Sequence, residues 1–247
     1  MLSPISITTG LLTTLAVNLA AWSSGAAWAA SPAAFSQGAG TEPPAPWHFV
    51  GLPERYAKPP TLIDLHELDG KKTLRLRNDK SWGSLVHPWT GPAQTIAFQW
   101  RLDKALAKAS FKTKAAEDAA LKVCMSFDMP ADRIPSGERT LFKMAQFVSR
   151  EKLPTATLCY VWAHAEEAGS VHASPTTERV RYMVLNSGTA QLKTWQEHQR
   201  NIGADFLKAF GAESASVPAL TAIIVGADSD NTQGSSLGYI SDIVVQP

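Results

Sequence analysis

Short segments that alternate apolar and polar residues, divided by turn-forming residues, constrain this chain more than any other feature. TLIDLHELDG and KTLRLRND alternate in this way and are separated by Asp69-Gly70. A period of two places successive side chains on opposite faces of a strand, and Asp-Gly suits the positive φ angles of a two-residue hairpin. The rhythm returns in SWGSLVHPW, AQTIAFQWRLD, LKVCMSFD, TATLCYVWAH, ERVRYMVLNSG, PALTAIIVGAD and YISDIVV, with Gly, Pro, Asn and Asp in between. Two segments depart from it. GERTLFKMAQFVSRE places Leu141, Met144, Ala145 and Val148 at helical spacing. TWQEHQRNIGADFLKAFG spaces Ile202, Phe206 and Phe210 four apart before a stop at Gly211. Strands do not alternate with helices as βαβ units do. Roughly nine strands with two inserted helices predict a mainly β protein, an antiparallel β-sandwich of the jelly-roll type.

The first charged residue is Glu42, and LLTTLAVNLAAWSSGAAWAA precedes it. Ala27-Trp28-Ala29 fits a small-x-small cleavage site, so residues 1–29 read as a signal peptide. Thr13, Thr14 and Asn18 interrupt the apolar run, which is short for a spanning helix. Residues 30–46 are rich in Pro, Gly and small residues and are expected to form a disordered leader. Residues 47–247 then make one domain, about 200 residues with enough apolar content for a substantial core. The 23 basic and 22 acidic residues form no block of either sign, which argues against nucleic acid or anionic lipid as the main partner. No later apolar run is long enough to span a membrane, so the expected location is the periplasm or outside the cell. Cys124 and Cys159 both lie in apolar strand-like runs. They bridge if their strands are neighbours and otherwise remain two buried thiols.

The order LRLRNDKSWGSLVHP, WRLD, LCYVWAH, SPTTERVRYMVLNSG, DFLKAFG and VGADSDNTQG followed by GYISDIV resembles an uncharacterised bacterial secreted family, the domain of unknown function thirty forty-seven. The resemblance runs from about Trp47 to the C-terminus and implies a secreted single-domain β-sandwich. It also leads to expect a Lys-Gly-Asp-Asp-like loop, where this chain has Lys114-Ala115-Ala116-Glu117-Asp118. More broadly, the early strand ending in a Gly turn and the closing YISDIVV resemble galactose-binding-like jelly rolls. That likeness implies sugar binding and a structural calcium near the chain ends.

Candidate site residues follow from side-chain chemistry. Sugars dock on aromatic faces while planar charged or amide groups grip their hydroxyls. Tyr160 and Trp162 share one face of a strand, so they are candidate stacking residues for a glycan or other small polar ligand. Arg101, Asp118, Asp228, Asp230 and Asn231 are the candidate polar grip. Asp228, Asp230 and Asn231, with Asp242 from the closing strand, are candidate ligands for calcium, which takes hard oxygen donors. The alternative for DSDNT is a turn whose Asp and Asn side chains satisfy nearby backbone N–H groups. It is not an EF-hand: Gln233 replaces the obligatory Gly and Tyr239 stands where the closing Glu belongs. Gly234-Ser235-Ser236-Leu237-Gly238 matches a serine elbow by letter, but a strand follows where the elbow needs a helix. The catalytic alternative is a polysaccharide- or cell-wall-active enzyme with Asp228 or Asp230 as acid/base. A third alternative is an envelope protein-interaction module that takes no small ligand.

Overall fold

The computed structural model describes residues 31–52, 56–148 and 153–247. The signal-peptide reading of residues 1–29 lies outside them. The described strands are β1 (His48–Val50), β2 (Leu62–Leu68), β3 (Lys71–Asp79), β4 (Trp82–Pro88), β5 (Thr95–Lys104), β6 (Ala119–Phe127) and β7 (Ala156–Ala163). They continue with β8 (Val171–Ala173), β9 (Val180–Ser187), β10 (Gln196–Asn201), β11 (Leu220–Asp228), β12 (Ser235–Ile240) and β13 (Val244–Gln246). Two α-helices, α1 (Ser136–Val148) and α2 (Ile202–Phe210), interrupt the series. Among the described residues no helix is long and apolar enough to cross a membrane.

Two sheets form a sandwich. A seven-stranded sheet runs β1-β4-β11-β6-β7-β9-β8, and a six-stranded sheet runs β10-β5-β12-β3-β2, with β13 added beside β5. Within these orders β3-β12-β5-β10 faces β4-β11-β6-β7, and the chain passes between sheets as it goes from β3 to β6 and from β10 to β12. That is the connectivity of an eight-stranded jelly roll, which alternates strands between sheets to enclose one core. The expected antiparallel β-sandwich is therefore what forms, with one exception: β7 and β9 pair in parallel. The β2–β3 hairpin turns at Asp69 and Gly70, both with positive φ (52° and 71°), as the Asp-Gly pair leads one to expect. Gly226 on β11 permits a close approach, because a Cβ there would sit 2.2 Å from Ser84 Oγ on β4.

Apolar residues of both inner faces, among them Leu74, Leu76, Trp100, Leu121, Val123, Tyr160, Trp162 and Val225, fill the core. Strands β6 and β7 are buried at every position. The reason is a second apolar cluster on the far side of their sheet, in which Phe111, Tyr182, Val161 and Val184 cover Cys124 and Cys159. Cys124 and Cys159 are direct register partners on β6 and β7 and form a disulfide.

Three expectations need correction. Residues 31–46, read as a disordered leader, are packed as a strap. Phe35 is fully buried with its ring 5.0 Å from that of Trp47. Trp47 Nε1 donates to the Ala33 carbonyl (2.8 Å), and the Leu65 N–H donates to that of Thr41 (2.7 Å). Two large aromatics thus anchor a segment whose average composition is small and Pro-rich. The second correction concerns TWQEHQRNIGADFLKAFG, which is not one helix. Gln196–Asn201 pairs with β5 as β10, and the helix starts only at Ile202, where the Asn201 side chain caps the Ala204 N–H (2.8 Å). QEHQRN is polar throughout but alternates in burial, as an edge strand does. The third correction concerns α1, where Leu141, Met144 and Ala145 of the predicted apolar stripe do not face the core. Leu141 and Met144 are exposed, and Phe142 is the residue that packs inward.

Candidate functional site

Structure divides the sequence-predicted site residues into three places. Tyr160 and Trp162 lie in the core, 0% and 2% exposed, so neither ring offers a face to a ligand and the predicted stacking platform is not formed by them. Their polar atoms serve internal bonds. Tyr160 Oη donates to Asp205 Oδ2 (2.7 Å), and Trp162 Nε1 donates to the Gly188 carbonyl (3.0 Å). Burial and the neighbouring Asp205 carboxylate push the Tyr160 hydroxyl well above its ordinary pKa. Alternation in β7 is genuine, but the face it selects is the inner one.

Asp118, Asp228, Asp230 and Asn231 meet at one end of the sandwich. Asp228 closes β11 and accepts from the Ala119 N–H (2.9 Å) and from Lys122 Nζ (3.1 Å). Lys122 in turn lies over the Trp82 ring at 5.5 Å. Burial pushes the Asp228 acid up to about 6; Lys122 opposes that rise and Asp118 reinforces it. Asp118 accepts from the backbone N–H groups of Asn231 (3.2 Å) and Thr232 (2.7 Å) and from the Thr232 hydroxyl (2.5 Å). Asn231 Nδ2 donates to the Glu117 carbonyl (2.8 Å), and Lys58 Nζ donates to the Asp230 carbonyl (3.0 Å). Glu117 itself accepts from Ser174, Thr176 and Tyr182. The DSDNT loop is thus held by carboxylates and amides that satisfy one another, and Asp228 is too deeply buried to act as an acid/base on a polymer.

Asp242 is not part of that cluster. It lies past the end of β12, where Ser36 of the strap donates to it from both N (2.9 Å) and Oγ (2.5 Å). The four residues named for calcium therefore do not form a set. Among the described residues no three His, Cys, Asp or Glu side chains converge to hold an ion.

Arg101 is on an open face. Phe98, Trp100 and Leu102 of β5 point into the core, so Gln99, Arg101 and Asp103 point outward from the six-stranded sheet. Arg75 and Arg77 of β3, Tyr239 of β12 and Asp64 and His66 of β2 share this outer face by the same alternation. Arg101 donates to Asp103 Oδ1 (2.6 Å) and to Asp69 Oδ2 (2.7 Å), and Trp195 Nε1 also reaches Asp69 Oδ2 (3.2 Å). Lys71 Nζ sits 5.5 Å from the Trp195 ring centre and donates to Gln99 Oε1 (3.1 Å).

Beside this network the sheet is split. β12 pairs with β5 at Trp100–Lys104, then leaves it at Ser241–Ile243, and β13 rejoins β5 at Thr95–Ala97. Ser241 ties the kink down: its N–H donates to the Gln99 carbonyl (2.9 Å) and its Oγ accepts from the Gln99 N–H (2.8 Å). Ile243 plugs inward while Asp242 turns outward, leaving a groove of about 560 Å³. Lys71, Lys72, Gln99, Glu197, Ser36, Ser241 and Asp242 line it, and Gly70, Ala97, Phe98 and Val244 complete the lining. Its size falls in the range of small-ligand pockets. The lining offers hydroxyl, amide, amine and carboxylate groups, a set suited to a ligand with many hydroxyls. Trp195, half-buried at its edge, is not among the site residues predicted from the sequence. Its polar alternating neighbours QEHQR were the available signal that it borders an edge strand.

A jelly-roll β-sandwich with one face closed and the other open and grooved is the class of domain that these residues build. The chain belongs to the family described as protein of unknown function (DUF3047), whose model matches residues 45–244. No curated protein matches it. It is similar to the solved structure of TmCBM61 in complex with beta-1,4-galactotriose, at 12% identity and a TM-score of 0.34, over 82% of this chain and 88% of that one. It is also similar to the K2 cleaved adhesin domain of Lys-gingipain, at 9% identity and a TM-score of 0.39, over 87% and 97%. A family 12 xyloglucanase from Bacillus licheniformis shares 13% identity at a TM-score of 0.40, over 74% and 85%. Similarity at this level brings no activity to the present chain.

Proposed function

We propose that this domain is an exported binding protein that holds a carbohydrate, or a similarly hydroxyl-rich polar ligand, on the outer face of its six-stranded sheet. The observation that carries this reading is the groove at the β12–β13 kink, with Trp195 beside it. Carboxylates, an amide and hydroxyls lining the groove can accept from or donate to sugar hydroxyls, while the neighbouring indole gives an apolar ring face somewhere to rest. Export is supported by the N-terminal sequence and by the Cys124–Cys159 disulfide, which belongs in an oxidising compartment. The test is a titration of the folded chain with a broad glycan panel, read by tryptophan fluorescence. A saturable change that Trp195→Ala removes supports the reading. A panel without any response sinks it.

A further inference from the structure

The groove does not end at its own walls. Gln99, which lines it, bonds Lys71; Lys71 lies over Trp195; Trp195 and Arg101 both donate to Asp69; and Arg101 also holds Asp103. This chain of contacts follows the outward side chains of β5 from Ala97 to Asp103. The six residue-to-residue steps cover about 20 Å at the usual rise per residue, which is several pyranose rings end to end.

Charge along this track is balanced in place. Arg101 is paired with Asp69 and Asp103, while Arg75 and Arg77 are paired with Asp64. In the groove itself two lysines, Lys71 and Lys72, stand with two carboxylates, Glu197 and Asp242. A polyanion or polycation is captured by a surface rich in one sign, and none is present here. Paired guanidinium and carboxylate groups still have unused N–H and lone-pair directions, which suit hydroxyls.

We infer that the ligand is an extended, uncharged glycan that fills the groove and continues along β5 across Trp195 to an outer subsite at Arg101. This rests on the carbohydrate reading above and adds length and neutrality to it. The experiment uses the folded chain with neutral cello-, xylo- and galacto-oligosaccharides from di- to hexasaccharide, and with oligogalacturonates of matching length. Calorimetry reads affinity. At least one neutral series is expected to gain about tenfold or more in affinity from di- to hexasaccharide, a change of about 1.4 kcal/mol. Arg101→Ala and Arg101→Gln are expected to cost the hexasaccharide several times more than the disaccharide, with thermal melting confirming that each variant folds. Saturable binding with a flat length dependence overturns the extended track but leaves the glycan reading standing. Equal losses for short and long ligands overturn the outer subsite, and preference for oligogalacturonate overturns neutrality. If no saccharide in any series binds, the carbohydrate reading itself fails and this inference falls with it.

Discussion

The two outer faces of the sandwich are built from similar residues and have opposite fates. On the seven-stranded sheet, the segment after β5 lies back over β6, β7 and β9, and Phe111 stacks on Tyr182 with ring centres 4.3 Å apart. Glu166 anchors that segment through Ser110 Oγ (2.7 Å) and the Phe111 N–H (3.0 Å). Its carboxylates, hydroxyls and Lys122 are therefore enclosed and bonded inside the protein, though Glu166 Oε2 has no hydrogen-bond partner there. On the six-stranded sheet nothing comparable lies over Gln99, Arg101 and Lys71, among the described residues. Their pairs meet water, and the kink after β12 adds a groove. A cluster of Asp, Asn and Thr is thus no guide to function until its cover is known. Enclosed, such groups specify structure; left open, they can bind.

The contrast is sharpest in energy. Lys122→Ala removes the cation beside buried Asp228, and breaking a buried pair from one side costs about 3–5 kcal/mol. Urea unfolding is expected to show a loss of that size. The double change Lys122→Met/Asp228→Leu should recover most of it; if Lys122→Ala alone unfolds at the parent's midpoint, the closed end is not closed. Next in size is the bridge on the same face. The Cys124–Cys159 disulfide spans 35 residues of sequence, and the chain-entropy treatment of a loop of that length gives about 3–4 kcal/mol. Paired replacement by alanine should lower stability by up to that amount and leave glycan titrations of the open face unchanged. A loss of binding would mean that the faces are coupled through the core.

How much of this was visible beforehand depends on what kind of information each element needed. Asp69-Gly70 announced its hairpin because turn conformation is a local property. Cysteine pairing was undecided because it depends on register, which only the β6–β7 ladder supplies. Tyr160 and Trp162 were correctly placed on one face, but period two says nothing about which face is covered. The same gap hid the strap: Phe35 is one aromatic in a run of small residues, and its burial depends on a pocket built by distant strands. Of the nominated site residues, Arg101 and Asp242 reach the open face and its groove, and they were chosen for different reasons. Trp195, Lys71 and Gln99 were not nominated, because the kink that assembles them comes from two short strands sharing β5.

Smaller effects distinguish two enclosed groups by pH: Asp228 on the covered face and His198, whose ring packs inward against Phe98 and Trp100. Asp228, with its acid at about 6, binds a proton in the folded state before an unfolded aspartate does, near 3.9. Its contribution to stability therefore rises as pH falls from about 6 toward 4. His198 behaves in the opposite sense. Burial, with Arg200 adding to it, holds the ring down to about 4 against an unfolded value near 6.5. Its contribution is full above about 6.5 and is lost as pH drops through that window. Urea unfolding from pH 7 to 4 should show that His198→Gln loses less stability toward acid than the parent, while Asp228→Asn loses more. Identical slopes would contradict both assignments.

The smallest expected effect tests the comparison most directly, because it applies one measurement to both faces. Arg75 bonds Asp64 through Nε (2.9 Å) and Nη2 (2.6 Å), with both side chains about a fifth exposed. Burial raises the Asp64 acid, but the Arg75 bond and charge outweigh it and hold the carboxylate below its ordinary range. A double-mutant cycle on Arg75 and Asp64 should give a coupling of only about 0.2–1 kcal/mol, the usual yield of a pair in contact with water. Raising the salt concentration should shrink it, since solvent-facing charges are screened within about 10 Å at 0.1 M. The same cycle on Lys122 and Asp228, whose side chains are 10% and 9% exposed, should give a larger coupling that salt barely changes. Such a difference follows from cover alone, because both pairs join one cation to one aspartate across neighbouring strands. If the two cycles returned equal couplings with equal salt dependence, the division between an enclosed face and an open face would have no energetic basis.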